Sequence, residues 1–117
     1  MRIQQSLSVP ANGNSGNVLQ GLVGSIIRDP SGIDFAAVAD DVAGDITASF
    51  LIDTESVLIN GNIPAPLNGI AGTGPVDPDN VIFRNEAAPA GSILNLTFFN
   101  AAAAPVQVRY WVNINPV

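Results

Sequence analysis

Apolar and polar residues alternate most strictly along residues 106–115, near the end of the chain. One parity holds Val106, Val108, Tyr110, Val112 and Ile114, and the other holds Gln107, Arg109, Trp111, Asn113 and Asn115. A period of two with β-branched and aromatic members predicts a β-strand that turns one face to a core.

A second alternating stretch precedes it at residues 91–100, with Leu94, Leu96 and Phe98 on one face. The connection, residues 101–105, contains four alanines, but Pro105 closes the option of a helix. The two stretches are therefore predicted to form an antiparallel pair of strands.

Further strands are predicted upstream, where shorter apolar runs are bounded by turn-forming residues. They are residues 3–9, residues 46–52, residues 56–60 ending at the turn signal Asn60-Gly61, and residues 81–84. Residues 18–27 are apolar with Gly21 and Gly24 inside, which in a strand indicates a bulge.

Two segments do not follow the strand pattern. Residues 33–43 carry Phe35, Val38, Ala39 and Val42 at helical spacing and are left open between a short helix and an irregular strand. Residues 64–80 are rich in proline and glycine and are predicted to be a loop. The whole pattern predicts an all-β fold, a single antiparallel β-sandwich domain over residues 1–117, with the jelly roll as one form of it.

The composition predicts a surface that is poor in charged side chains. Charged residues make up 12 % of the chain, its net charge is −6, and neutral asparagine occupies twelve positions. Such a surface has little self-repulsion and favours association. The four arginines are scattered (Arg2, Arg28, Arg84 and Arg109), so no basic run exists for nucleic acid or anionic lipid, and neither is predicted as a partner.

The inventory of reactive side chains is short, because the chain contains no histidine, cysteine or lysine. It therefore lacks the usual general base near neutral pH, two of the usual covalent nucleophiles and the side chains that bind zinc best. We predict a protein that is not an enzyme and has no cofactor.

Carboxylates offer two weaker candidate sites. Asp77, Asp79 and Asn80 supply the oxygen ligands that calcium prefers, although the segment favours a solvated turn. Asp40 and Asp45 belong to an acidic cluster that could act on a glycosidic bond, but a charged loop is the more frequent outcome of such clusters.

Trp111 is the residue that most suggests a contact surface. It shares its parity with Gln107, Arg109 and Asn113, and outward tryptophan beside arginine is typical of protein–protein interfaces. The alternative is that both faces of the strand are covered and Trp111 belongs to a core. The interface hypothesis predicts a homo-oligomer, for which we expect a trimer, or docking on a larger lattice.

The pattern of residues 91–100 followed by residues 106–113, together with the wealth of alanine, glycine and asparagine, resembles small virion structural proteins of bacteriophages. The similar proteins are capsid decoration or cement proteins and jelly-roll coat components. The resemblance implies a location in the virion, contacts with a major capsid protein or neighbouring subunits, and no catalysis. The trimer is an expectation by the same analogy.

A carbohydrate-binding β-sandwich module, with or without calcium, is the alternative function. Such a module needs exposed aromatic rings, and Tyr110 and Trp111 are the first candidates. Neighbouring residues of a strand face opposite ways, so these two rings cannot form one platform.

Overall fold

The structure, a computed structural model, describes residues 1–22, 25–40, 45–63 and 81–117. This part of the chain is all-β, with antiparallel strand pairing throughout and no helix. The strands are β1 (Arg2–Val9), β2 (Gly13–Asn14), β3 (Ser31–Ala39), β4 (Ile46–Ile52), β5 (Glu55–Asn62), β6 (Val81–Ala88), β7 (Leu94–Asn100) and β8 (Val106–Pro116).

The eight strands form two four-stranded sheets. The first sheet has the order β1-β8-β3-β6 and the second sheet has the order β2-β7-β4-β5. The strands pair as β1 with β8, β2 with β7, β3 with β6 and β4 with β5, as in one long hairpin. Rolling that hairpin brings β8 beside β3 and β7 beside β4 as well. This is the strand order of a jelly roll, and the predicted antiparallel sandwich is confirmed.

The core lies between the two sheets and is built from their inner faces. Phe35 of β3 is at its centre, with ring centroids 5.4 Å from Phe50, 5.7 Å from Phe83 and 6.3 Å from Phe98. These tilted ring contacts join β3 and β6 of the first sheet to β4 and β7 of the second.

The predicted inner parities of β7 and β8 are confirmed, and the predicted strand β4 alternates in the same way. All of their inward residues are buried: Ile46, Ala48, Phe50 and Ile52 in β4, Leu94, Leu96 and Phe98 in β7, and Val106, Val108, Tyr110, Val112 and Ile114 in β8. Alternation alone was sufficient here because side chains on one parity of a strand share one face, and the main core covers that face in all three strands.

The predicted pairing of β7 with β8 is wrong. β7 lies in the second sheet between β2 and β4, whereas β8 lies in the first sheet between β1 and β3. The connection of residues 101–105 therefore crosses from one sheet to the other instead of closing a hairpin. In a jelly roll most consecutive strands change sheet, and only β4 and β5 form a tight hairpin here.

The helix considered for residues 33–43 is also wrong where the structure describes it, because Ser31–Ala39 is strand β3. β3 is an interior strand whose residues on both faces are buried, Phe35 and Ala37 inward and Ala36 and Val38 outward. An apolar run on both parities contains helical spacings by chance, which is why the pattern was ambiguous. Residues 41–43 lie outside the described residues.

Two further strand boundaries differ from the prediction. Residues 18–22 form turns and a bend rather than a strand, and Ile26 contributes only an isolated bridge to Ile93. Asn60 and Gly61 do not end their strand, since β5 runs through them to Asn62. The loop predicted at residues 64–80 lies outside the described residues.

A buried amide fastens the crossing from β7 to β8. The Nδ2 of Asn100 donates to the carbonyl oxygens of Val9, at 3.2 Å, and of Ala104, at 3.0 Å. Its Oδ1 accepts a hydrogen bond of 2.8 Å from the backbone N–H of Ala102. Asn100 is 3 % exposed. From the inner side of the sheet, this residue at the end of β7 is therefore hydrogen-bonded both to the end of β1 and to the crossing segment.

We predict that Asn100→Ala lowers the free energy of unfolding by about 3 kcal/mol, because it removes three hydrogen bonds and leaves the buried carbonyl of Val9 without this partner. The matched control is Asn95→Ala on the same strand, which is expected to change stability by no more than about 0.5 kcal/mol because Asn95 is only partly buried. Urea unfolding followed by circular dichroism measures both. Equal losses in the two variants would contradict the role given to Asn100.

Tyr110 is the single tyrosine of the chain and lies in the core. Its hydroxyl donates a hydrogen bond of 2.7 Å to Oε1 of Gln5 on β1. Burial disfavours the charged phenolate and raises the pKa of Tyr110 from 10.0 to about 12.

We predict that the native protein releases the Tyr110 proton near pH 12, and the unfolded chain near its usual pKa of about 10. The folded state thus holds the proton more tightly, so stability is full below pH 10 and falls as the pH rises toward 12. The chain has no lysine or cysteine that would titrate in this window. Tyrosinate absorbance measures the titration, and Tyr110→Phe should flatten the fall in stability. A native midpoint near 10 would contradict the prediction.

Candidate functional site

The outward face of β8 carries the four residues predicted to form an interface. Gln107, Arg109, Trp111 and Asn113 all point away from the core, on the parity opposite to Tyr110. β1 flanks them on one side, with Gln4 opposite Trp111 and Ser6 opposite Arg109. β3 flanks them on the other, with Ala36 opposite Trp111 and Val38 opposite Arg109.

Trp111 is outward but is only 5 % exposed. Its indole packs with Ala36 and Val38 of β3 in a second, smaller apolar cluster, against which Val81 of β6 also lies. The guanidinium of Arg2 covers the ring, with its Cζ 4.5 Å from the ring centroid. The tryptophan is therefore covered within one chain, and it offers little area to a partner.

Arg2 is held over the indole by the neighbouring strand. Its Nε donates a hydrogen bond of 2.8 Å to Oδ1 of Asn113, the residue opposite it in the β1–β8 pair. The guanidinium lies over Trp111, where the negative face of the ring attracts the cation. Two of the predicted interface residues thus take part in one arrangement on the outer face.

Arg109 forms an ion pair with Asp40, which follows β3. The distance from Nη2 of Arg109 to Oδ1 of Asp40 is 3.4 Å, and both side chains are largely buried. This pair gives one of the acidic candidates, Asp40, a structural partner on β8. Gln107 is the predicted interface residue that is well exposed.

Asp34, also on the outer face of the first sheet, is likewise engaged. One carboxylate oxygen accepts from the backbone N–H of Asn85 at 2.9 Å, and the other accepts from Nδ2 of Asn115 at 3.1 Å. Asn85 has a positive φ of 55° at the irregular part of the β3–β6 pairing. The carboxylate thus stabilises a bulge between two strands.

The structure separates the acidic cluster of the sequence. Asp40 lies at the first sheet beside Arg109, whereas Asp45 borders a groove at the second sheet. Within the described residues no three acidic side chains come together as a metal site. The calcium candidates Asp77, Asp79 and Asn80 lie outside the described residues.

The aromatic residues first considered for sugar stacking, Tyr110 and Trp111, offer no open ring face. Tyr110 is fully buried in the core and Trp111 lies under Arg2. Phe99 of β7 is the aromatic residue whose side chain is open, at 38 % exposure. The sequence carried a signal for it, because Phe99 has the parity opposite to Leu96 and Phe98, as Trp111 has to Tyr110.

A groove with a volume of about 520 Å³ lies beside Phe99 at the edge of the second sheet. We call it the Phe99 groove, and the residues that line it include Asn12, Asn14, Asp45, Thr47, Phe99 and Asn100. It combines one aromatic ring with several amides, a hydroxyl and a carboxylate. Among the described residues that line this groove there is no arginine.

An apolar patch lies at another part of the surface. Ile26, which is 59 % exposed, bridges to the exposed Ile93 and, with Met1 and Pro116, lines a pocket of about 300 Å³. Clustered exposed apolar side chains are a common mark of protein contacts.

Comparisons of this chain with protein-family models, with curated proteins and with solved structures find no match. Among the described residues there is no helix of the length and apolar character that crossing a membrane requires.

We predict that Trp111→Ala lowers the free energy of unfolding by about 3 kcal/mol or more, as expected for a large-to-small change at a buried aromatic site. Gln107→Ala on the same face of the same strand is the control and should change it by no more than about 0.5 kcal/mol. Thermal and urea unfolding measure the difference. If Trp111→Ala were as stable as the control, the outer cluster would contribute nothing to the fold.

Proposed function

We propose that the chain is a non-enzymatic virion structural protein, a capsid decoration or cement protein or a minor coat subunit that acts through protein–protein contacts. The observation that carries the proposal is the strand order of the two sheets, β1-β8-β3-β6 and β2-β7-β4-β5. This eight-stranded double sheet is an architecture found in viral capsid domains, and also in lectins and cupins. Fold alone does not fix function, so the surface has to support the choice.

The surface supports an assembly role through its scarcity of charge. Polar groups must lose water when a contact forms, and neutral amides and hydroxyls lose it at lower cost than ions do. On the outer face of the first sheet, Gln4, Ser6 and Ser8 of β1 and Gln107 of β8 form an exposed neutral strip. The charged groups beside it already have partners within the chain, because Arg109 forms an ion pair with Asp40 and Arg2 lies over the ring of Trp111.

β1 also supplies an edge. In the described part of the chain it pairs with β8 on one side and has no strand on the other. The backbone groups of an open edge can pair with a strand of a neighbouring subunit. The neutral strip and this edge together form the docking surface that we propose, and Gln107, Arg109, Trp111 and Asn113 border or support it.

The partners that this surface fits are other virion proteins, namely a major capsid protein or further copies of this chain, with a trimer as the expected homo-oligomer. Nucleic acid is not an expected partner, because Arg2 and Arg109 are engaged and the net charge is −6. The proposed location is the virion.

A charge placed on the neutral strip tests the proposal. We predict that Ser6→Lys weakens assembly by roughly tenfold or more, because the new ammonium must be desolvated in the contact. Thr97→Lys, on the outer face of the second sheet, makes the same change in net charge and is the control. Light scattering of the purified chain measures the mass of the oligomer, and electron microscopy of particles from the native source shows whether the protein occupies symmetric positions.

Two outcomes would reject the proposal. One is a protein that occurs only free in solution, without any symmetric assembly. The other is a Thr97→Lys variant that loses assembly while Ser6→Lys keeps it, which would reject the docking surface on β1 and β8.

A further inference from the structure

The Phe99 groove is formed where three strands of the second sheet meet a turn. Across the sheet, Phe99 of β7 lies opposite Asn14 of β2 on one side and opposite Thr47 of β4 on the other. Residues directly opposite in antiparallel strands project from the same face. An aromatic ring therefore stands between an amide and a hydroxyl on one outer surface.

The rim of the groove is held in place before any ligand arrives. The backbone N–H of Asn12 donates to the carbonyl of Ala102 at 3.0 Å, which ties the turn between β1 and β2 to the crossing after β7. Asn100 holds the same crossing from the inner side through its three hydrogen bonds, of which the one to Val9 is buried. A preorganised rim binds a ligand with a smaller loss of conformational entropy.

Several polar groups at this rim remain available. The Oδ1 of Asn14 accepts from the backbone N–H of Gly16 at 3.0 Å, which orients the amide. Within the described residues, Nδ2 of Asn14, the side-chain amide of Asn12 and the hydroxyl of Thr47 have no hydrogen-bond partner. The groove thus presents donors and acceptors together with the partly exposed ring of Phe99.

The chemistry of this lining selects among ligand classes. A phosphate-bearing ligand would meet the carboxylate of Asp45 and, in the described part of the lining, no arginine, so a nucleotide is disfavoured. A purely apolar ligand would leave the amides and the hydroxyl without partners. A sugar ring has one face of C–H groups that can stack on an aromatic ring and a rim of hydroxyls that can bond to amides. The volume of about 520 Å³ is within the range of small-ligand sites.

We propose that the Phe99 groove is a binding site for a neutral saccharide. Phe99 stacks on the C–H face of the sugar, and Asn12, Asn14 and Thr47 bond to its hydroxyls. The groove lies on the second sheet, whereas the docking surface on β1 and β8 belongs to the first, so this inference does not depend on the proposed assembly role.

The experiment is a nuclear magnetic resonance titration of the ¹⁵N-labelled chain with the methyl glycosides of glucose, galactose, mannose and N-acetylglucosamine at millimolar concentrations. For at least one glycoside we expect saturable shifts of the backbone amides of Asn12, Asn14, Thr47 and Phe99. Glycerol, which has hydroxyls but no ring, is the control probe and should leave these amides unchanged.

Variants then assign the contact. Phe99→Ala should raise the dissociation constant roughly tenfold or more, as for a central aromatic contact, whereas Phe99→Trp should preserve binding. Ile59→Ala is the matched control, because Ile59 is an exposed apolar residue on β5 that does not line the groove. The amide spectrum of each variant reports its fold independently of binding.

The proposal is overturned if none of the four glycosides gives saturable shifts, or if the shifts occur around Ile26 instead of the groove. It is also overturned if a folded Phe99→Ala binds as tightly as the native chain, or if Ile59→Ala weakens binding equally.

Discussion

The double pairing of β8 is the constraint on which the rest of the structure depends. β8 is hydrogen-bonded to β1 over eight registered positions and to β3 over nine. Its inner face supplies Tyr110 to the main core, and its outer face supplies Trp111 to the smaller cluster. Loss of β8 would leave the first sheet without its centre. Trp111 contacts Ala36 and Val38 on β3 and Arg2 on β1. These contacts form because β8 lies between the two strands and pairs with each in a fixed register.

Much of the fold could be predicted, because a strand that is buried on one side has apolar and polar residues in alternation along its sequence. Leu94, Leu96 and Phe98 alternate with polar residues for this reason. The alternation does not indicate which strands are hydrogen-bonded to each other. Residues 91–100 and 106–115 look like the arms of a hairpin, yet each arm is hydrogen-bonded to strands far away in the chain. The sequence of the interior strand β3 does not even alternate, because both of its faces are covered and carry apolar residues.

For the candidate sites, too, the sequence predicted the direction of the side chains but not the residues that cover them. Parity predicted that Trp111 points outward, but its coverage comes from Ala36, Val38 and Arg2, which are remote in sequence. Arg109 was predicted beside it, but its ion pair with Asp40 depends on the β3–β8 register. Phe99 has the same local signal as Trp111 and differs from it only in lacking a cover. A single sequence therefore indicates which side chains leave the core, and the neighbouring strands decide which of them stay accessible.

The pairing of β1 with β8 has a consequence for synthesis on the ribosome. β1 emerges first among the eight strands, and its only strand neighbour in the described fold, β8, is the last to be made. At typical elongation rates this interval is on the order of 5–20 s. During that time the backbone of β1 and the apolar side chains of Ile3 and Val9 have no native partner strand. Sheets assembled from such distant segments fold slowly. Until β8 is made, the unpaired backbone of β1 can therefore pair with strands of other chains and aggregate.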